Sequence, residues 1–277
     1  MRTFSLVNAD GTSYDLTAVG TSFLHDVRGL GFNRKTDYQQ IATRFSSVRD
    51  VLAQQDVVGT IRFFQPHAAQ QYFNFIRFLS NTPLTLKYNP GIGEFIRRGS
   101  IVTVEKTDSA GGALRATVTF RCTTPWYKTV DRTSGGGVKG GKIYDYTYDY
   151  TYADFASNTV QIESDSFAEC PVRMAIYGAA TNPLWRHYVN GQLVATGQVI
   201  AEIEEGRILV VDNTRLPYRI EQLDLLGNFV SDLYQRSNFA TQRFISLRHG
   251  MNTITVAQEG ASDLRMFVEA QIEYASV

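Results

Sequence analysis

PHAAQQYFNFIRFLS, at residues 66–80, carries apolar side chains at helical spacing and predicts an α-helix in a chain of 277 residues. Pro66 suits the first position of that helix, where its missing N–H costs nothing, and Asn81-Thr82-Pro83 ends it. The apolar face predicted from the spacing consists of Ala69, Tyr72, Phe73, Ile76 and Leu79, widened by Phe75 and Phe78. The helix is therefore expected to lie between a sheet and a second surface, which a neighbouring chain could supply.

Strand patterns surround this helix on both sides. Thr3–Val7 and Tyr14–Val19 flank the turn pair Asp10-Gly11, which predicts a hairpin, and VVGTIRFF at 57–64 predicts a further strand. Strands are also predicted at Leu84–Tyr88, Ser100–Lys106 and Leu114–Cys122. One helix among strands indicates a first domain of α+β or mainly-β type.

A glycine-rich segment, DRTSGGGVKGGK at 131–142, follows these strands and has little that can pack. It predicts a flexible linker or a long loop. We therefore expect a first domain at 1–131, a linker at 132–141 and a second domain at 142–277. The second domain begins with KIYDYTYDYTYADF, in which every second residue from Tyr144 to Tyr152 is a tyrosine. That period predicts an entry strand with one tyrosine face.

The second domain has a nearly pure β pattern. Short strand-like runs are separated by the turn pairs Asn190-Gly191, Gly227-Asn228 and His249-Gly250. Regular short strands with turn signals and no helical period predict a β-sandwich of jelly-roll type. The whole chain is thus expected to be mainly β.

Charge and cysteine content limit the classes of function. The net charge is zero, but residues 1–130 carry 15 Lys/Arg against 9 Asp/Glu, and the rest of the chain has the opposite imbalance. This asymmetry indicates either two domains with different neighbours or ordinary surface scatter. Neither half has the dense basic stripe of a DNA-binding surface. Cys122 and Cys170 belong to no CxxC pair, which predicts two buried free thiols and assembly in a reducing cytoplasm.

Targeting segments are not predicted. The start MRTFSLVNADG lacks the apolar core of a signal peptide, and no apolar run approaches the roughly 20 residues of a membrane helix. A soluble, unprocessed protein is expected.

Nucleotide-binding motifs are incomplete. Gly136 and Gly141-Lys142 match most of a phosphate-binding P-loop, but Ile143 occupies the position of the magnesium-binding Ser or Thr, and the flanking strand and helix are missing. Gly29-Leu30-Gly31 lacks the third glycine of a dinucleotide fingerprint, since Arg34 stands there. No cofactor-binding residue is predicted.

Catalytic and metal-binding patterns are similarly weak. His25, His67, His187 and His249 have no ligand partner at a short spacing, so no metal site is predicted. Glu202 and Glu204 would share one face of a strand and in principle pair as acid and base, but Glu204-Glu205-Gly206 also fits a hairpin turn. No catalytic residue is predicted, and the protein is not expected to be an enzyme.

One aromatic cluster is a candidate sugar platform. Trp185, His187 and Tyr188 lie together in NPLWRHYVNG, and stacking on a sugar requires a flat ring with hydrogen-bond donors nearby. The competing interpretation is that Trp185 packs inside the sandwich, because tryptophan is highly buried on average. A carbohydrate-binding protein that recognises a host cell-wall saccharide through this sandwich is the alternative function.

The order of these features resembles the distal tail protein family of long-tailed siphophages and tail-like particles. The similar stretches are NTPLTLKY, RRGSIVTVEK, ATVTFRCTTPWYK, the tyrosine segment, FISLRHGMNTITVAQEG and MFVEAQIEY. The resemblance covers essentially the whole chain and has the length of the short form. The sugar-binding signature of galectins is missing, because Arg186 and His187 follow Trp185.

The resemblance implies a structural virion protein, made in the bacterial cytoplasm and located at the tail tip. Its N-terminal belt domain would close a hexameric ring at the end of the tail tube, and a galectin-like sandwich would follow. The partners implied are the tail-tube protein, the tail-associated lysin or fibre hub, and receptor-binding proteins. DNA would pass through the ring without sequence-specific binding, so a lumen without strong positive charge is expected.

A closed ring requires a heterologous interface, in which one patch meets a different patch on the next copy. The wide surface of helix 66–80 and the strand VVGTIRFF are candidates to supply it. The alternative is that both belong wholly to the core of their own domain.

Overall fold

A computed structural model describes residues 2–18, 20–108, 113–134, 158–259 and 264–277. It divides the chain into two compact units, one of Met1–Lys128 with Tyr274–Val277 and one of Thr129–Glu273. Most of the predicted linker and the tyrosine strand at 142–155 lie outside the described residues. The domain bounds 1–131, 132–141 and 142–277 therefore stay a prediction.

The first unit contains ten strands and one α-helix among its described residues. In chain order these are β1 Thr3–Val7, β2 Ser13–Asp15, β3 Ser22–Arg28, β4 Arg34–Ile41, β5 Arg44–Leu52, β6 Asp56–Phe63, α1 Ala68–Leu79, β7 Leu84–Asn89, β8 Phe95–Asp108, β9 Leu114–Cys122 and β10 Trp126–Thr133, the last of which continues into the second unit. The predicted hairpin around Asp10-Gly11 is present, but its second strand is Ser13–Asp15 rather than the predicted Tyr14–Val19. The other predicted strands of this half are present.

Strand β8 is the branch point of one sheet, because its two halves pair with different strands. Its first half pairs with β7 in the order β2-β1-β7-β8, and its second half pairs with β9 in the order β8-β9-β6-β3. Gly99 lies where one pairing gives way to the other, and a Cβ added there would approach the Arg121 carbonyl oxygen to 2.1 Å. Only a glycine, which has no Cβ, allows β8 to come this close to β9.

Helix α1 closes over the core of this unit with part of its predicted apolar surface. Ala68, Phe75 and Phe78 are buried, and Phe75 contacts the rings of Tyr14 and Phe63 at 5.1 and 5.9 Å between centroids. Phe73 and Ile76, which also belong to the predicted apolar surface, are exposed. The helix is thus apolar on two sides, one buried in its own unit and one exposed, as the predicted wide surface requires.

The start of α1 also differs from the prediction. The helix begins at Ala68 with His67 as its N-cap, so Pro66 precedes the helix rather than opening it. The helix ends at Leu79, before Asn81 as predicted.

The second unit consists of short antiparallel strands. They are β11 Thr159–Ser164, β12 Cys170–Tyr177, β13 Ala180–Thr181, β14 Leu184–Val189, β15 Gln192–Gln198, β16 Glu202–Ile203, β17 Arg207–Asp212, β18 Arg219–Asp224, β19 Phe229–Asp232, β20 Ser246–Leu247, β21 Gly250–Ala257 and β22 Met266–Tyr274, with a 3₁₀ turn at Tyr234–Arg236. One sheet has the order β19-β18-β17-β12-β22, and a second has the order β11-β21-β14-β15.

Both sheets of the second unit bury alternate residues. Strand β21 has the pattern of a half-buried strand, with Asn252, Ile254 and Val256 inside, and β12 and β22 bury Met174, Ile176 and Val268. Two antiparallel sheets that each bury one face are the arrangement expected of a β-sandwich.

The fold class predicted from the sequence is confirmed, since 59% of the described residues are strand and one α-helix is present among them. The galectin-like character of the second unit stays a prediction. In the part of the chain that the structure describes, no helix is both long enough and apolar enough to cross a membrane.

Candidate interaction surfaces

The candidate sugar platform is not a surface. Trp185 is fully buried on β14, and its indole covers Gly197 of β15 so closely that an added Cβ would lie 2.3 Å from the ring. His187, two residues along the same strand, is also buried, and only Tyr188 is partly exposed. Stacking of a sugar on Trp185 is therefore wrong, and the interpretation of Trp185 as a core residue is confirmed.

His187 serves a structural hydrogen-bond network. Its Nε2 lies 3.0 Å from Oδ1 of the fully buried Asn252. The amide group of Asn252 donates to the carbonyl oxygens of Arg248 and Gly250, and its Oδ1 also accepts the Arg248 backbone N–H. Oδ1 is thus an acceptor, so His187 donates from Nε2. Burial lowers the pKa of His187, which favours the neutral form of its imidazole.

The other candidate polar residues are scattered on the surface. Glu202 and Glu204 are exposed, and Glu204-Glu205-Gly206 forms the turn between β16 and β17, in which Gly206 has a φ of 77°. The turn interpretation of this acidic cluster is confirmed. Within the described ranges, no three His, Cys, Asp or Glu side chains are grouped as a metal site.

The two cysteines are free and buried, as predicted. Burial raises the pKa of both thiols. Cys122 accepts a hydrogen bond from Nη1 of Arg97 at 3.6 Å, and the Arg97 guanidinium lies 4.8 Å from the ring centroid of Trp126. Burial also lowers the pKa of Arg97. Arg97, Cys122 and Trp126 are all buried, so they pack the interior of the first unit and are not open to a ligand.

The most exposed apolar surface of the first unit is the hairpin of β4 and β5, which we call the β4–β5 arm (residues 34–52). These two strands pair only with each other among the described residues. Nearly every side chain of the arm is exposed. Its large apolar residues are Tyr38, Ile41, Phe45, Val48 and Val51, and the first four are 61–69% exposed.

Internal contacts of the arm are few and polar. Arg34 donates to Asp50 at 2.7 Å, and Thr36 lies 3.3 Å from the same carboxylate. An exposed ion pair contributes roughly 0–1 kcal/mol, and an isolated two-stranded hairpin is at best marginally stable in water. The arm therefore has the composition of a segment that becomes covered in an assembly.

A second apolar surface of the first unit lies between α1 and β8, and we call it the α1–β8 groove. It is lined by Ile76, Leu79, Ser80 and residues 101–104, and its volume is about 280 Å³. The pairing of β8 with β9 skips Val102, since Ile101 faces Phe120 and Thr103 faces Thr119. Such a bulge redirects a side chain, and Val102 is exposed at the groove.

At the end of its larger sheet the second unit exposes apolar side chains in and beside the hairpin of β18 and β19, namely Leu216, Tyr218, Leu225, Leu226, Phe229 and Val230. We call this group the β18–β19 patch. It borders an open cleft of about 630 Å³ that is lined by both strands and by Tyr234. Strand β19 ends the order of this sheet, so it is an edge strand among the described residues.

Sequence reasoning found one of these surfaces. Helix 66–80 was a candidate for the ring interface, and its Phe73 and Ile76 are exposed. The other candidate, VVGTIRFF, is interior because β6 lies between β3 and β9 with Val57, Ile61 and Phe63 buried. The β4–β5 arm was missed, because charged and polar residues interrupt its apolar positions and leave only a weak strand pattern.

Comparison with known proteins identifies the family of the chain. Residues 3–123, which form most of the first unit, match the model of the N-terminal domain of distal tail proteins. Residues 3–123 thus form the N-terminal domain of a distal tail protein. The family predicted from the sequence is therefore confirmed. No match was found among curated protein sequences.

Two solved structures share the fold over its full length. A chain of the phage P2 baseplate in its activated conformation with calcium is 15% identical, with 100% of both chains covered and a TM-score of 0.67. SPP1 Dit, described as a paradigm of the hub adsorption apparatus in phages that infect Gram-positive bacteria, is 12% identical, with 98% of this chain and 99% of that chain covered and a TM-score of 0.65. At such identities the likeness establishes the fold.

The family gives the class of function. Distal tail proteins are structural components of the phage tail and baseplate, and they are not enzymes in general. The chain is accordingly a structural protein of a phage tail.

Proposed function

We propose that this distal tail protein closes a ring of six copies at the end of the tail tube. The ring joins the tube to the tail-associated lysin or fibre hub and anchors the components that attach to the host. DNA passes through its channel without sequence-specific binding. The chain is made in the cytoplasm of the bacterial host and resides at the tail tip of the virion.

The observation that carries this proposal is that the first unit exposes two different apolar surfaces, the β4–β5 arm and the α1–β8 groove with Phe73 beside it. Ring closure by rotation requires two different patches per copy, because each copy meets one neighbour on either side. Scattered apolar residues are normal on a monomer, but contiguous exposed groups mark contact sites. Both surfaces belong to the unit that contains the matched family domain.

The β18–β19 patch supports the attachment of other tail components to the second unit. Leu225, Leu226 and Phe229 are more than 60% exposed, and the edge strand β19 offers unpaired backbone groups to a neighbouring chain. The patch has only one charged residue within β19, Asp232, so charge does little to protect this edge.

The ring is tested by mass and symmetry. The full-length protein is purified and examined by native mass spectrometry and by electron microscopy, alone and together with the tail proteins that co-purify from producing cells. We expect an assembly of six copies of 31.1 kDa with six-fold rings in projection. A chain that stays monomeric under both conditions refutes the proposal.

A further inference from the structure

We propose that the β18–β19 patch binds an extended segment of another tail protein. This segment adds a strand to the open edge of β19 and places a basic and a large apolar side chain beside the cleft. The inference rests on the proposed attachment of tail components to the second unit, and it specifies how the partner is held. It requires free backbone groups, a face that side chains can cover and a charge that the partner complements.

The edge of β19 offers backbone groups at a defined residue. The Leu233 N–H donates to the Ile220 carbonyl oxygen at 2.8 Å, and Ser231 faces Gln222 in the same register. In an antiparallel ladder, a residue between two such hydrogen-bonded pairs directs its N–H and C=O away from the partner strand. The N–H and C=O of Asp232 therefore point away from β18, where no strand of the described residues pairs with β19. A strand added there gains main-chain hydrogen bonds.

A bulge at Val230 brings two side chains of β19 onto one face beside the cleft. Glu221 faces Asp232 and Leu223 faces Phe229, so the pairing skips Val230. Side chains that lie directly opposite share a face, and residues two apart on a strand do as well. Phe229 and Asp232 therefore lie on the same face, although they are three positions apart. Both line the cleft together with Glu221, so an added strand meets a large apolar ring and a carboxylate on this face.

The cleft is preformed by packed aromatic rings. Its volume of about 630 Å³ lies in the range of small-ligand pockets and accommodates large side chains. Tyr218 and Tyr234 line it, and both pack on Phe244, with 5.1 and 6.3 Å between ring centroids. The Arg243 guanidinium lies 4.9 Å from the centroid of the Tyr234 ring and further fixes that ring. Walls that are already ordered lower the entropic cost of binding.

The charge of this face selects a basic partner. Glu221 and Asp232 lie directly opposite one another, and like charges in that position repel. Among the described residues, Arg219 forms an ion pair with Glu221 at 4.0 Å, and Asp232 forms none. A lysine or arginine opposite Asp232 on the added strand relieves the repulsion. The β19 strand of a second copy does not supply it, since its sequence FVSD contains no basic residue.

Peptide selection on the full-length protein tests the chemistry of the partner. A displayed library of random peptides of about nine residues, the length of a strand, is selected on the wild-type protein and in parallel on Asp232→Lys. We expect the wild-type protein to enrich peptides with a basic residue two positions from a large apolar one. The Asp232→Lys protein should lose the preference for the basic residue. Selection of no common pattern, or of the same pattern on both proteins, overturns the proposal.

A selected peptide then gives the affinities by fluorescence anisotropy. Asp232→Asn keeps an oxygen that can accept the Tyr234 N–H, as Asp232 Oδ1 does at 2.8 Å, and should weaken binding by about 2- to 5-fold. Asp232→Lys adds repulsion and should weaken it by about 10-fold. Glu163→Lys is the matched control, because Glu163 is exposed on β11 at the end of the other sheet, and should leave binding unchanged. Equal affinity for the wild-type protein and Asp232→Lys contradicts the proposed contact.

Backbone pairing is tested separately. Each residue of the selected peptide is N-methylated in turn, which removes one N–H and leaves the side chain in place. A peptide that pairs along one strand edge should lose affinity at alternate positions, by about 5-fold at each. Losses without this alternation would show that side chains alone hold the peptide and would rule out strand addition.

The outcomes separate this site from the proposed ring. A six-copy ring on which no peptide is selected overturns the site and leaves the ring. Peptide binding by a chain that stays monomeric supports the site and overturns the ring. In native mass spectrometry, a dimer that is lost in Asp232→Lys but kept in Glu163→Lys would place a second copy on β19 and overturn the choice of partner.

Discussion

Removal of Asn252 tests whether His187 is a structural group. In Asn252→Ala, the side chain that joins β14 to the loop before β21 is lost. His187 Nε2 loses its acceptor, and the backbone N–H and carbonyl oxygen of Arg248 lose their partners together with the carbonyl oxygen of Gly250.

The expected loss in the free energy of unfolding depends on which of these groups water can reach. Arg248 is exposed and Gly250 is half-buried, so water replaces part of their hydrogen bonds, and each lost bond costs about 0.5–1 kcal/mol. His187 is 1% exposed, so its unpaired N–H costs about 1–3 kcal/mol. We expect the free energy of unfolding of the second unit to fall by roughly 3–5 kcal/mol, and its melting temperature by roughly 10 °C.

The fluorescence of Trp185 provides the assay. Trp126 lies in the first unit and Trp185 in the second, so a Trp126→Phe background makes the remaining tryptophan report on the second unit alone. Urea unfolding is followed in this background with and without Asn252→Ala. Asn228→Ala is the matched control, since Asn228 is exposed in the β18–β19 turn and its loss should cost less than about 1 kcal/mol. Equal effects of the two substitutions would show that the network is not structural.

Three further predictions concern the second unit. Gly197→Ala should destabilise it by more than about 2 kcal/mol in urea unfolding, because the new Cβ would lie 2.3 Å from Trp185, whereas Gly31→Ala in the first unit meets no atom within 4 Å and should change stability by less than about 0.5 kcal/mol. Burial lowers the pKa of His187 below 6.5 in the folded protein. As the pH falls, the unfolded chain therefore binds a proton at His187 at a higher pH than the folded protein does. Stability should therefore fall as the pH drops below about 6.5, and His187→Gln should flatten this slope in pH-dependent melting. Burial raises the pKa of Glu273 from 4.5 to about 7. The protonated carboxyl group therefore contributes its full share of the free energy of unfolding below pH 4.5, and this share is lost as the pH rises through 7. Glu273→Gln should reduce that loss by about 1–2 kcal/mol, and an unchanged profile would contradict the burial of this carboxyl group.

Local patterns predicted the strands well where one face is buried. Leu114–Cys122 was predicted with the bounds that β9 has, because its apolar residues alternate without interruption. The turn pair Asn190-Gly191 also placed the hairpin of β14 and β15 correctly, since both residues adopt positive φ there.

The remaining features depend on contacts between distant residues. His187 and Asn252 are 65 positions apart, so their network has no local signature. Tyr14 and Phe63 pack against Phe75 and so decide which face of α1 is buried. The spacing of apolar residues within the helix carries no information on these two contacts. The β4–β5 arm was missed for another reason, because a strand without a buried face has no alternation to detect.

The pairing of β8 with β7 along its first half and with β9 along its second half has a mechanical consequence. Its first half holds β7 and, through β7, the N-terminal strand β1, whereas Val102 in its second half borders the groove. A single continuous strand transmits displacement along its axis with little compliance. A displacement of β8 at Val102 is therefore expected to reach β7 and β1 within the first unit.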